Sequence, residues 1–437
     1  YSGAGYISGF DLNVSNKIEI SSMLPTNQHY NITLAVASDK KENNKLMINN
    51  EAIAEFVTSG SGKFEAITFK NVFINKGIVR IGIEEVTGGI DLDYIIIQSS
   101  KDVDSLSFNI SDSLINENAN EKTKNTMRFM VENFGANIIS GQYAAVGSNK
   151  ELDVIYQTTG RYPAMRLGDM LPYTTMNAEQ TQEIEHAIEW SKMGGMVGYV
   201  WHWLAPSGNR SCYTDETEFD LSKAVTDIDI SDMTLQELGE MVSDGKISDE
   251  CYQIVRDIDM VSKQLKILQE NNVTVLWRPL HEASGGWFWW GAAGEDAYKW
   301  LWELLYSRQT NFHGLNNLIW VWNAQMDGWY VGDSLCDVIS ADIYVDSGSF
   351  NSQINTFIQL NKISPNKLIA LSECANSPSP DLMIRDNAVW SFFGVWCGDY
   401  VLNEQCEFSE KYITKAQLID IYSHQNVLTL EKLPDLR

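Results

Sequence analysis

The sequence predicts an α/β protein in which a (β/α)8 barrel is preceded by a small, jelly-roll-like β-sandwich. Three observations carry the prediction. From about residue 120 onward, apolar strand-like runs alternate with longer amphipathic stretches. The runs number eight, the strand count of a closed parallel barrel. Before them, roughly the first 100 residues are written in short alternating segments punctuated by turn residues.

The N-terminal segments are 17–20, 30–36, 45–49, 67–69, 77–83 and 93–97. Asn49-Asn50, Ser59-Gly60-Ser61-Gly62 and Gly88-Gly89 separate them, residue pairs that supply turn conformations cheaply. Regular short strands of this kind predict a sandwich. The division expected is a module over 1–100, a polar linker over 101–115 and a barrel over 116–437.

The barrel runs are 136–140, 162–166, 196–200, 273–278, 318–322, 337–341, 368–371 and 389–395. Between them, Tyr298, Leu301, Trp302 and Leu305 fall on one helical face. An open doubly wound sheet fits the periodicity as well. The segment from 204 to 249 is too long for a plain connection and is expected to decorate the barrel mouth.

A chain of 437 residues suits one large domain and one small one. A net charge of −26 repels a polyanion, so nucleic acid is excluded as a partner. The absence of any run of about eighteen apolar residues gives no membrane-spanning helix. The six cysteines form no CxxC pair, which argues against a zinc site. Cys212–Cys251 and Cys397–Cys406 are conceivable loop staples. The opening Tyr1-Ser2-Gly3-Ala4-Gly5 has no Met and no signal-peptide pattern, as in a processed chain.

Barrel active sites lie at the C-terminal ends of the strands. Strand four ends in Trp277-Arg278-Pro279-Leu280-His281-Glu282, followed by Gly285-Gly286-Trp287-Phe288-Trp289-Trp290. Strand seven ends in Ala370-Leu371-Ser372-Glu373. Each leaves a carboxylate at the rim. Glycoside hydrolysis needs two: an acid to protonate the leaving oxygen, and a second that attacks carbon in the retaining route.

The string Arg278 to Trp290 resembles the acid/base segment of glycoside hydrolase family 26. Trp201-His202-Trp203, Trp320-Val321-Trp322-Asn323, Ala341-Asp342-Ile343-Tyr344 and Val395-Trp396 match further pieces. The resemblance implies Glu282 as acid/base and Glu373 as nucleophile. It implies that Tyr344 donates to Glu373, that His202 contacts the sugar at the cleaved bond, that Trp396 forms the platform beneath it, and that Trp287 stacks on the leaving-group side. His281 would bond sugar or a carboxylate, or pack. Asp169 is a candidate subsite residue, and Arg278 a buried ion-pair partner able to lower a carboxylate's pKa. Trp289 and Trp290 are expected in the core. Cys397 departs from the basic residue common in relatives.

The first 100 residues resemble a family 35 carbohydrate-binding module, through Gly5-Tyr6-Ile7-Ser8-Gly9-Phe10-Asp11 and Leu92-Asp93-Tyr94-Ile95. That resemblance implies a structural calcium, with Asp93 a possible ligand; catalysis implies no cofactor. No tryptophan lies before position 190, so a sugar platform in this module would need Tyr or Phe.

Together these imply a secreted, monomeric enzyme that cuts internal β-1,4 bonds of mannan, glucomannan or galactomannan, with manno-oligosaccharides as products. The alternatives are a β-1,3-xylanase or mixed-linkage β-glucanase of the same family, or a non-catalytic glycan-binding protein.

Overall fold

The computed structural model describes residues 1–9, 17–173 and 181–436, which form two compact units, Tyr1–Leu106 and Ser107–Arg437. Phe10 and Asp11 of the family 35 motif lie outside the described residues.

The first unit holds seven strands: β1 (Lys17–Leu24), β2 (Gln28–Ala37), β3 (Asn43–Ile48), β4 (Glu51–Val57), β5 (Glu65–Ile74), β6 (Gly77–Glu85) and β7 (Asp91–Ser99). They pair antiparallel as β1-β6-β3-β4 and β5-β2-β7. Ile32, Leu34 and Val36 from one sheet share a core with Leu46, Ile81 and Ile83 from the other. Alternation therefore predicts the sandwich correctly. It misses β4, an edge strand that buries only Phe56, because a strand facing solvent on both sides carries little alternation.

In the second unit, eight parallel strands close on themselves. They are β8 (Ile138–Tyr143), β9 (Met165–Asp169), β10 (Met196–Val200), β11 (Val275–Arg278), β12 (Leu318–Trp322), β13 (Val338–Ile343), β14 (Leu368–Cys374) and β15 (Phe392–Val395), with β15 pairing back to β8. Closure excludes the open sheet. β9 begins three residues after the predicted run, since Pro163 has no N–H to give a ladder. A short β16 (Val427–Leu428) adds to the start of β8. It is two residues long, below what periodicity can resolve.

The helix Glu295–Ser307 buries Tyr298, Leu301, Trp302 and Leu305, as their spacing predicts. Nine of the 14 tryptophans are fully buried, among them Trp289 and Trp290. Most of the aromatic richness is packing. Beneath the site, Arg166 of β9 donates to both oxygens of Glu183 at 2.6 and 3.0 Å, with both side chains out of solvent.

The long segment after β10 folds onto the barrel mouth. The Arg308 guanidinium grips Asp259 at 2.5 and 2.8 Å and donates to the carbonyls of Ser231 and Met233, pinning this segment to the helix Asp249–Glu270. Farther along the rim, Tyr213 bridges Phe288, and the Thr214 amide donates to the Trp287 carbonyl at 2.7 Å.

All six cysteines are unpaired, so neither conceivable staple forms. Cys212 and Cys251 sit in packed surroundings, and burial pushes each thiol up to about 11. Spacing in sequence does not bring two sulfurs together when each side chain packs into its own part of the core.

Candidate active site

β11 ends at Arg278, and the chain then turns sharply. Leu280 and Glu282 both take left-handed backbone conformations, φ 53° in each case. Non-glycine residues adopt these at a cost that surrounding structure must offset. Here the Glu282 amide donates to the Asn323 carbonyl at 2.7 Å and to its side-chain oxygen at 3.2 Å. Asn323, immediately after β12, thus holds the turn that projects Glu282 over the barrel.

Glu373 lies within β14, 5% exposed, and pairs in register with Asp342 of β13. Arg278 joins the two. One of its nitrogens donates to Asp342 at 2.5 Å, and the other donates to Glu373 and to the Tyr143 hydroxyl. Tyr344 donates to the second Glu373 oxygen at 2.5 Å. Asp342 also accepts from Asn323 at 3.0 Å and Ser372 at 2.7 Å. One oxygen of each of Glu282, Asp342 and Glu373 lies within 4.8 Å of the others.

The two glutamates differ in their donors. Burial, then the nearby charges of Asp342 and Glu373, pushes the Glu282 carboxyl up to about 8, and in its protonated form it bonds Asp342. Burial and Asp342 also raise Glu373, but Arg278 and the Tyr344 hydroxyl pull against that. The net shift of Glu373 is also upward, but it alone of the two is gripped by the Arg278 cation, while Glu282 stays protonated at neutral pH. An oxygen–oxygen separation within 4.8 Å suits direct attack on carbon by one of the pair.

His202 follows β10. Its Nδ1 lies 2.7 Å from Asp169 Oδ2, and its amide donates to Asp169 Oδ1 at 3.1 Å. Asp169 is thereby turned to His202, with the Leu171 amide as a further donor. Burial works to lower the His202 pKa, the Asp169 carboxylate outweighs it, and the net shift is upward.

His281 is buried against Phe288, Trp290 and His202, with ring centroids 4.9, 5.6 and 4.6 Å away. Burial, then the charge of His202, holds it well below the usual histidine range. It is a neutral, packed ring. Trp396 stands half-buried beside Tyr143 and His202, centroids 4.7 and 5.7 Å away. Trp287 is 48% exposed and donates its indole N–H to Glu282 at 3.0 Å.

Glu282, Glu373, His202, Tyr344, Trp287 and Trp396 thus gather at one mouth. Sequence reasoning quoted Asp342 and Asn323 within matching segments but gave them no role, and it missed Tyr143. Asp342 ends its strand as Glu373 does, and the rule that found Glu373 would have found it. Tyr213, 45% exposed with its ring 5.4 Å from Phe288, lies in the segment after β10, where no periodicity marks it.

A closed parallel barrel with two adjacent glutamates, one at the end of its seventh strand and one just past its fourth, defines a glycoside hydrolase. The chain belongs to glycosyl hydrolase family 26, whose model matches residues 115–432. It is 33% identical to a mannan endo-1,4-β-mannosidase of Thermothelomyces thermophilus, across 99% of this chain and 86% of that one. A mannan endo-1,4-β-mannosidase B of Piromyces is 30% identical, across 99% and 73%. Among solved structures, the Podospora anserina GH26-CBM35 β-(1,4)-mannanase superposes with a TM-score of 0.71 at 32% identity, covering 100% of this chain and 94% of that one. A β-mannanase from a protist symbiont of the termite Reticulitermes speratus, complexed with gluco-manno-oligosaccharide, gives 0.65 at 32%, covering 75% and 99%.

Proposed function

We propose that this chain is a retaining endo-β-1,4-mannanase, acting on mannan, glucomannan or galactomannan by double displacement. The observation that carries the mechanism is the close pair Glu282 and Glu373, the first held protonated by burial and the second gripped by Arg278 and Tyr344. The substrate class rests on the relatives' activity. Glu373 attacks the anomeric carbon while Glu282 gives its proton to the departing glycosidic oxygen. The sugar is then an ester of Glu373. Glu282, now a base, takes a proton from water, which releases the sugar with its original stereochemistry. Arg278 and Tyr344 hold Glu373 in position, and both bonds yield as the carboxylate becomes an ester. Trp396 and His202 bracket the sugar under attack, Trp287 the leaving sugar. Asp169 acts through His202, and His281 through packing.

The wider reading is a secreted monomer with a module over 1–100, a linker over 101–115 and a barrel over 116–437. No helix among the described residues is long and apolar enough to cross a membrane. A structural calcium with Asp93 as a ligand belongs to the same reading. Both Asp93 oxygens accept from Ser2, at 2.6 and 3.2 Å.

Reducing-sugar release from β-1,4-mannan, β-1,3-xylan and mixed-linkage β-glucan in parallel tests the reading. Mannan is expected to be cleaved far faster than the other two, and Glu373→Ala to abolish turnover. Wild-type rates in Glu373→Ala would sink the mechanism, and a preference for xylan or glucan the substrate.

A further inference from the structure

Glu282 is followed by a single tight turn, Ala283–Gly285, and then by Gly286 at φ 73°. Two successive glycines leave this stretch with more backbone freedom than other residues would. Gly285 is required, because a side chain there would collide with the six-membered ring of Trp287. That ring is 48% exposed, and its indole N–H reaches Glu282 at 3.0 Å.

A tie comes from residues 212–214, in the long segment after β10. The Trp289 amide donates to the Cys212 carbonyl at 3.0 Å and the Thr214 amide to the Trp287 carbonyl at 2.7 Å, with Tyr213 bridged antiparallel to Phe288 between them. The Thr214 hydroxyl donates to the Gly286 carbonyl at 3.1 Å. Thr214 thus holds the two peptide carbonyls that flank the Trp287 Cα.

The strip that carries Thr214 is itself braced. The Asn209 side-chain amide donates to the Glu216 carbonyl and the Ser211 hydroxyl to the Glu216 carboxylate, both at 2.7 Å. The Ala205 amide donates to the Ser211 carbonyl at 3.0 Å, and Cys212 is buried. A braced strip therefore grips a loop that its glycines leave free, and it does so at the residue whose indole meets the acid.

We propose that Thr214 is a positioning residue for the acid: by fixing the peptides on both sides of Trp287, it keeps the indole N–H on Glu282 and the ring at the leaving-group side of the mouth. This rests on the glycosidase reading above and adds the residue through which the segment after β10 serves the reaction. The hydroxyl is the part a substitution can remove, since the amide bond to Trp287 stays with any residue but proline.

The test follows kcat/KM for mannohexaose across pH. Thr214→Val keeps the shape and loses the hydroxyl. The rate is expected to fall about fivefold, the net worth of one hydrogen bond. The alkaline limb should move to higher pH, because an acid with a weakened donor is less easily ionised. Thr214→Ser, which restores a hydroxyl, should return both readings. In a Trp287→Phe background, Thr214→Val should move the limb no further, since the route runs through the indole. Thr214→Ala carries the same expectations should the valine variant not fold. A limb unmoved in Thr214→Val would overturn the proposal, as would a shift of equal size with and without the indole. A wild type inactive on mannan would remove the glycosidase reading and this role with it, whereas an active wild type with an unmoved limb in the variant would remove the role alone.

Discussion

Trp287 donates its indole N–H to Glu282, 3.0 Å from the carboxyl oxygen. In the proposed mechanism the same ring offers a face to the leaving sugar as well as a hydrogen bond to the acid. A donor stabilises the ionised form, so the bond restrains the rise that burial imposes on Glu282. In Trp287→Phe the face remains and the donor is lost. The alkaline limb of kcat/KM should move to higher pH, with KM little changed. Trp287→Ala should raise KM as well. An alkaline limb that does not move in either variant would show that the bond is absent in the working enzyme.

With Glu282 pushed up to about 8, activity should be lost as pH rises through that value, because a deprotonated acid cannot serve the leaving group. Stability carries the same sign. A carboxyl whose folded pKa lies above its unfolded one contributes fully below the unfolded value. That contribution fades as pH rises toward the folded one, so the window runs from about 4.5 to about 8. Glu282→Gln should flatten the fall in thermal stability across that window while slowing glycoside cleavage by about 10²- to 10⁴-fold. A melting profile as steep as the wild type's would count against the shift.

Asp169 fixes the Nδ1 side of His202. Asp169→Asn keeps the shape and removes the charge that raises the His202 pKa. The imidazole should then titrate at lower pH, readable by NMR. Loss of a charge-assisted bond of about 1.5–3 kcal/mol should lower kcat/KM roughly 10- to 100-fold. An unchanged rate would leave Asp169 with a structural part only.

The Arg166–Glu183 pair lies wholly out of solvent. Glu183→Ala leaves a buried guanidinium without its counter-charge. A stability loss of about 3–5 kcal/mol is expected in denaturant unfolding, though neither residue belongs to the reacting group. A loss under about 1 kcal/mol would mean that water or the neighbouring Asn149 and Ser148 satisfy Arg166 well enough alone.

Much of this was readable along the chain. Alternation marks six of the seven module strands, and the apolar runs mark all eight barrel strands, because burying one face of a strand or both leaves a pattern at short range. β4 and β16 escape for the converse reason: one is exposed on an edge, the other only two residues long. The tryptophan count was the weakest guide, since nine of the 14 serve the core and the few at the mouth look no different in sequence.

The sequence by itself determined the two-part architecture and placed Glu282 and Glu373 at strand ends, since strand periodicity and the residue that ends a strand are local properties. Only the tertiary structure decided how the two glutamates differ. Arg278 sits between Asp342 and Glu373, Tyr344 leans on Glu373, and Glu282 is left with Trp287 and a strained turn held by Asn323. A pKa depends on distance and burial, and strands four to seven reach one another only when the barrel closes.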